Sequence, residues 1–204
     1  MRKMIFLLSI LFLSPSITRA QERVEAPIWN VGHKWVFTQG NIEVVRADQN
    51  GYTLNLSKDI CFVENKYLEK IILDKSTLNR IFILKGDERV KYTILHRRIL
   101  NFPLNLGKEW KDSSIAKALS GPKRGSMVDF AETFKVLGWE NVEVQAGNFK
   151  TIKLDYTQEN RNSGYSGKAI YWYAPEVKYF VKCQYDKRFF EGASDWELAS
   201  FKLK

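Results

Sequence analysis

The chain has 204 residues, with 32 Lys and Arg against 23 Asp and Glu and only two His. Its densest basic pairs, Arg97–Arg98, Lys123–Arg124 and Lys187–Arg188, are scattered. That distribution suits solvated strand faces and guarded sheet edges and argues against nucleic acid, while leaving room for an anionic envelope surface. With two Cys and no His-x-x-x-His, Cys-x-x-Cys or Asp-rich loop, the common zinc and calcium frameworks are excluded, and no cofactor is expected.

Residues 1–20, "MRKMIFLLSILFLSPSITRA", read as a secretory signal peptide. Arg2 and Lys3 form a basic head, Ile5 to Leu13 an apolar run broken only by Ser9, and the segment ends on the small residue Ala20. The run is short of the roughly 20 apolar residues that cross a bilayer. No Cys follows it to take a lipid. The mature chain is expected to start near Gln21, to be periplasmic or secreted, and to carry no transmembrane segment. Removing Arg2, Lys3 and Arg19 leaves 29 basic against 23 acidic residues, a net +6 over 184 residues. That length suffices for a single β domain, 21–204.

Strand-length runs then follow one another. "NVGHKW" (30–35) leads into "WVFTQ". After the turn "QNG" (49–51), "GYTLNL" puts Tyr52, Leu54 and Leu56 on one face. "RIFILK" (80–85) is apolar on both faces, and past "KGDE" (85–88) "RVKYTILHR" aligns Val90, Tyr92 and Ile94. "NLGKEW" (105–110) introduces a weaker strand, "WKDSS". "SSIAKAL" (113–119) is the best helix candidate, with a Ser cap and a short apolar set. "VDFAETFKV" (128–136) aligns Val128, Phe130, Phe134 and Val136. "QAGN" (145–148) turns into "TIKLDYT", with Ile152, Leu154 and Tyr156 together, and "AIYWYA" (169–174) is again apolar on both faces. Period-two alternation with hairpin punctuation marks half-buried strands. The expected fold is all-β: about ten antiparallel strands in a strongly curved sheet, an open or closed β-barrel with little helix.

"NVGHKW" and "NLGKEW" share Asn, an aliphatic residue, Gly and Trp at an offset of 75 positions, each with a Pro just upstream in "APIW" or "FPL". Gly permits a positive φ before the chain extends. The pair reads as a repeated strand-start device and raises the expectation of two quasi-repeated halves, 27–101 and 102–204. Because Lys108 stands where the first copy has His33, that position is expected to be solvated and without a chemical role.

Glu132 falls in register with Phe130 and Phe134. A carboxylate there either faces a cavity, is paired internally, or is turned outward by a bulge. Tyr171, Trp172 and Tyr173 are the other ligand-facing candidates, together with Trp35 and Trp110, although large aromatics most often fill cores. Cys61 and Cys183 could form a disulfide in an oxidising compartment or stay as buried thiols. No nucleophile elbow, phosphate-binding loop or dinucleotide fingerprint occurs, so no enzyme is expected, and a hydrolase using Glu132 as an acid is the remaining catalytic alternative, with no motif in its favour.

"FPLNLGKEW" (102–110), "VEVQAGNFKTIKLDY" (142–156) and "YWYAPEVKYFVK" (171–182) together resemble a group of uncharacterised exported bacterial β-proteins. The resemblance covers about residues 100–204. The chain departs from that pattern at Gln145, where Pro is frequent, and at Glu176, where Gly is frequent. The resemblance implies a curved antiparallel sheet, with a fold-level analogy to the open barrels of lipoprotein carriers. The expected function is a non-catalytic envelope module binding an apolar or amphipathic ligand, the alternative a protein–protein interaction or assembly factor. A wide interior would favour binding and a filled one interaction.

Overall fold

The structure is a computed structural model that describes residues 22–57, 69–75, 78, 80–85, 88–94, 100–119, 122, 124–186 and 195–204. Cys61 and His96 lie outside the described residues, as do residues 1–21. The elements are β1 (Arg23–Val24), β2 (Lys34–Phe37), β3 (Gly40–Asp48), β4 (Gly51–Ser57), β5 (Glu69–Leu73), β6 (Arg80–Lys85) and β7 (Glu88–Ile94). There follow β8 (Leu104–Asn105), β9 (Glu109–Ala118), β10 (Met127–Val144), β11 (Gly147–Asn160), β12 (Tyr165–Ala174), β13 (Tyr179–Tyr185) and β14 (Trp196–Lys202).

Twelve of these strands close into an antiparallel ring in the order β10-β11-β12-β13-β14-β2-β3-β4-β5-β6-β7-β9, and β9 returns to β10. Closure leaves the ring without an open edge, which removes the aggregation hazard of unpaired strands. The seam is thinnest at β13–β14, where only Lys182↔Glu197 and Cys183↔Trp196 are in register. Past that point the β10–β11 turn reaches β14, and Ala146 donates its N–H to the Leu198 carbonyl at 3.0 Å.

The expected helix at 113–119 is a strand instead. Residues 109–118 form β9, paired with β10 from Lys135↔Glu109 to Met127↔Lys117 and with β7 from Ile94↔Ile115 to Lys91↔Ala118. A Ser cap and a short apolar set are weak local preferences, and two flanking ladders override them.

Inside, Trp35, Phe37, Ile42, Val44, Tyr52, Leu54, Phe134, Val136, Leu154, Tyr156, Tyr171 and Tyr173 are buried. Their rings interlock: Trp29 lies 5.5 Å from Trp35, Trp35 stacks on Tyr179 at 4.8 Å, and Trp110 stacks on Phe134 at 5.1 Å. Each such pair adds about 0.5–1.5 kcal/mol beyond its burial. Lys153, Asp155 and Lys182 take the alternate, outward positions. Apolar inside and charged outside is the reverse of a bilayer-spanning barrel. Among the described residues no helix is long and apolar enough to cross a membrane.

The two copies of the repeated motif adopt one geometry. Gly32 and Gly107 have φ of 85° and 78°. In the first turn His33 N–H bonds the Asn30 carbonyl at 3.0 Å, and in the second Lys108 N–H bonds the Asn105 carbonyl at 3.1 Å. Gly32 N–H then bonds the Val44 carbonyl and Gly107 N–H the Val136 carbonyl. Val44 and Val136 return their N–H groups to His33 and Lys108. Each of these valines sits at a register shift, Val44/Arg46 in β3 and Val136/Gly138 in β10. The turn and the bulge are therefore one device used twice, at the heads of β2–β7 and β9–β14.

His33 is not solvated, contrary to the sequence expectation. It is fully buried, with Nε2 3.0 Å from the Lys204 carbonyl oxygen and Nδ1 accepting from Asn30 N–H. Lys108 Nζ donates to the Asn101 and Pro103 carbonyls. The His-to-Lys exchange keeps a polar side chain tied to main chain, and that shared requirement, not solvation, is what the two residues have in common.

Candidate functional site

Six steps around a ring of antiparallel strands bring back the same direction, so β2 and β9 run parallel. Both repeated turns therefore lie at one end, here the near end, which the β1–β8 pair crosses. There Trp35 Nε1 donates to the Val177 carbonyl and Trp29 Nε1 to the Lys178 carbonyl, each at 2.9 Å. Two indoles thus anchor the turn that follows "WYAP", whose Lys178 has a φ of 61°. Trp35 is wholly buried in this cap, and Trp110 is buried one row from Glu132 against Phe134.

Toward the far end the inward face turns polar. The ladder from Phe130 to Val136 runs without a break, and the bulge falls after Val136. Glu132 therefore stays on the inner face, 1% exposed. Its row across the wall is Asp112–Glu132–Gln158–Gly167. Tyr156 donates its hydroxyl to Glu132 Oε1 at 2.6 Å, and Gln158 Nε2 lies 3.4 Å from the same oxygen. A hydroxyl donated at this distance gives the buried carboxyl group the hydrogen-bond partner without which its burial would be costly. One row further out, Phe130 and Asn160 are only partly buried, so Glu132 sits between a packed aromatic floor and the barrel mouth.

From Glu132 the aromatic floor continues through Tyr156, which lies 5.8 Å from Tyr171, to Trp196, 6.4 Å from Tyr171. The indole N–H of Trp196, 3% exposed, has no hydrogen-bond partner among the described residues. This wall thus offers an acceptor at Glu132 and an unused donor at Trp196. Sequence alternation pointed to Tyr156 through its face with Ile152 and Leu154. Asp112, Gln158 and Trp196 carried no comparable signal, because their place depends on register across strands.

Tyr171 and Tyr173 face inward, and burial pushes the Tyr173 phenol well above its usual range. Trp172 faces the outer wall between Lys153 and Lys182, whose ammonium groups lie 5.3 and 5.5 Å from its ring centroid. Its Nε1 donates to Glu140 Oε2 at 3.1 Å, beside the Lys153–Glu140 ion pair at 3.0 Å. The Lys153 bond, then the Trp172 bond, hold the Glu140 carboxyl below its ordinary value of 4.5. The six residues singled out in the sequence therefore divide among the near-end cap, the inner wall and the outer wall. Cys183 is buried in β13. Among the described residues, no group of three or more His, Cys, Asp or Glu could hold a metal ion.

The geometry defines a closed antiparallel barrel with an aromatic interior. No family model and no curated protein matches the chain. Among solved structures it is similar to an exported-type protein of YmcC-like fold from Bacteroides fragilis, with a TM-score of 0.55 at 14% identity, over 88% of this chain and 99% of that one. It is also similar to a lipoprotein-type chain from Parabacteroides distasonis (TM-score 0.49, 16% identity, 89% and 100% covered). A third similar structure is the hypothetical lipoprotein YmcC of Escherichia coli (0.46, 8%, 87% and 90%). At such identities the likeness to the Bacteroides protein establishes a shared fold, and function has to be argued from the site.

Proposed function

We propose that the protein is an exported, non-catalytic binding module of the cell envelope. Because interlocking rings fill the interior, in this reading the ligand is not enclosed: only the polar head of an amphipathic molecule is received, at the far mouth of the barrel. The observation that carries the reading is Glu132, a carboxylate held on the inner wall above an aromatic floor. Trp196 adds an unused buried donor on the same floor. A site built only for packing has no need of either group, since apolar side chains of the same volume would cost less. The Glu132 acceptor selects a head that donates hydrogen bonds, an amine or a hydroxyl, over a carboxylate.

The processed protein, purified after export, should quench or shift its Trp fluorescence on titration with dodecylamine and respond at least tenfold more weakly to dodecanoate. Glu132→Gln should erase that preference. Equal responses to both probes in the wild type, or an unchanged preference in the variant, would remove Glu132 from the site.

A further inference from the structure

We infer that the β13–β14 seam is a lateral gate of the barrel, strapped shut by the tip of the β10–β11 hairpin. Among the described residues every other seam of the ring holds four or more register pairs, and this one holds two, Lys182↔Glu197 and Cys183↔Trp196. On the far side one exposed bond also crosses it, from Tyr185 N–H to Asp195 Oδ1 at 2.9 Å. Toward the near end the two strands part. β13 bulges between Trp172↔Lys182 and Tyr173↔Phe180, which leaves Val181 outside the ladder. From there β14 meets the hairpin tip instead: Ala146 N–H bonds the Leu198 carbonyl at 3.0 Å, and the Phe149 ring lies 5.9 Å from Phe201. Val144 and Phe149 of the tip, and Val181 and Leu198 of the parted strands, are all buried. The strap is rooted where Glu140 meets Lys153 of β11 and Trp172 of β12, so it runs from one side of the seam to the other.

Two features favour opening at this place. A seam closed by few ladder bonds opens at lower cost than one closed by many. The closed seam also buries the Trp196 indole N–H, 3% exposed and without a hydrogen-bond partner among the described residues, and parting brings that donor to solvent. The inner wall then divides between Cys183 and Trp196. Trp196 stays with β2 through Phe37, 5.0 Å away, and Tyr171 stays with β13 through Phe180, 5.1 Å away. The use of the gate rests on the ligand reading above. Rings fill the closed barrel, and the floor that starts at Glu132 and Tyr156 runs through Tyr171 to Trp196, at the seam itself. The parted seam therefore supplies what the closed ring lacks, a place for the single apolar tail of a molecule whose head stays at Glu132.

The test is the rate at which Ellman's reagent labels Cys183 in the processed, exported protein carrying Cys61→Ser, which leaves Cys183 as its one thiol. Labelling is expected without denaturant, at a rate that low urea does not change, as local opening requires. Amide exchange of residues 180–183 and 196–198 in the wild type should show the same indifference to urea. Phe149 in the strap and Ile71 in β5 are both 7% exposed. Phe149→Ala should speed labelling by about tenfold or more, since it removes buried packing that the open gate gives up. Ile71→Ala should lower the melting temperature and leave the labelling rate without urea unchanged. Both variants should keep the wild-type circular dichroism. Saturating dodecylamine should slow labelling by covering Cys183. Labelling and exchange that follow the steep urea dependence of global unfolding, or equal acceleration by the two variants, would overturn the gate whether or not dodecylamine binds. A fluorescence response to dodecylamine with no protection of Cys183 would overturn the placing of the tail. Local labelling with no fluorescence response would sink the ligand reading and leave the gate standing.

Discussion

Glu132 shows how one side chain carries both a structural and a functional argument. Its Oε1 receives the Tyr156 hydroxyl at 2.6 Å. Replacing Glu132 with Leu would take that acceptor away from the buried hydroxyl, at a cost of about 1–3 kcal/mol. Adding Tyr156→Phe should return part of the loss, because it removes the donor together with its acceptor, leaving only the longer Gln158 contact broken. Urea unfolding of the two single variants and the double variant measures the coupling, and strictly additive losses would show that the bond does not hold the row. Glycine at the repeated turns is a second case. Gly107 has φ of 78° with open space around its Cβ position, so Gly107→Ala pays only for backbone conformation, about 1–2 kcal/mol. At Gly32 a Cβ would also come within 2.7 Å of Lys204 Nζ. Gly32→Ala should therefore lower the melting temperature at least as far as Gly107→Ala.

At the scale of elements, the long β10–β11 hairpin is tied to β12 on the outer wall by Glu140, Lys153 and Trp172. The folded Glu140 carboxyl is held below its ordinary 4.5. Its contribution is therefore present above about pH 4.5 and is lost as the pH falls through the lower, folded-state value. Glu140→Gln should melt below the wild type at pH 7, and the gap should close on acidification toward pH 3. A gap that is constant with pH would contradict the assignment. Much of this hairpin was legible in the sequence, since the "QAGN" turn and the alternation of Ile152, Leu154 and Tyr156 describe β11 without help. β9 was not. "SSIAKAL" has no marked alternation of its own and is extended only because β7 and β10 flank it. The register that sets Asp112 opposite Glu132 arises across strands, and no single segment records it.

At the scale of the molecule, the ring divides into β2–β7 and β9–β14, each opening on the same turn and bulge. We propose that the two sets descend from one duplicated unit, as the halves 27–101 and 102–204 suggested. The repeated motif made this visible in the sequence, whereas the burial of His33 did not show, because a histidine tied to a carbonyl 171 positions away leaves no local mark. The same division gives the barrel two distinct ends. The near end is sealed by Trp29 and Trp35, whose indoles bond the Lys178 and Val177 carbonyls. Trp35→Phe keeps the ring but leaves the Val177 carbonyl unpaired, and should cost about 1–3 kcal/mol without altering probe binding at the far mouth. The far end carries the proposed ligand site. Native mass spectrometry of the processed protein, purified from an envelope extract, tests that claim most directly. The account predicts a retained small-molecule adduct in the wild type that is diminished in Glu132→Gln. An apo mass alone, with no fluorescence response to dodecylamine, would contradict it.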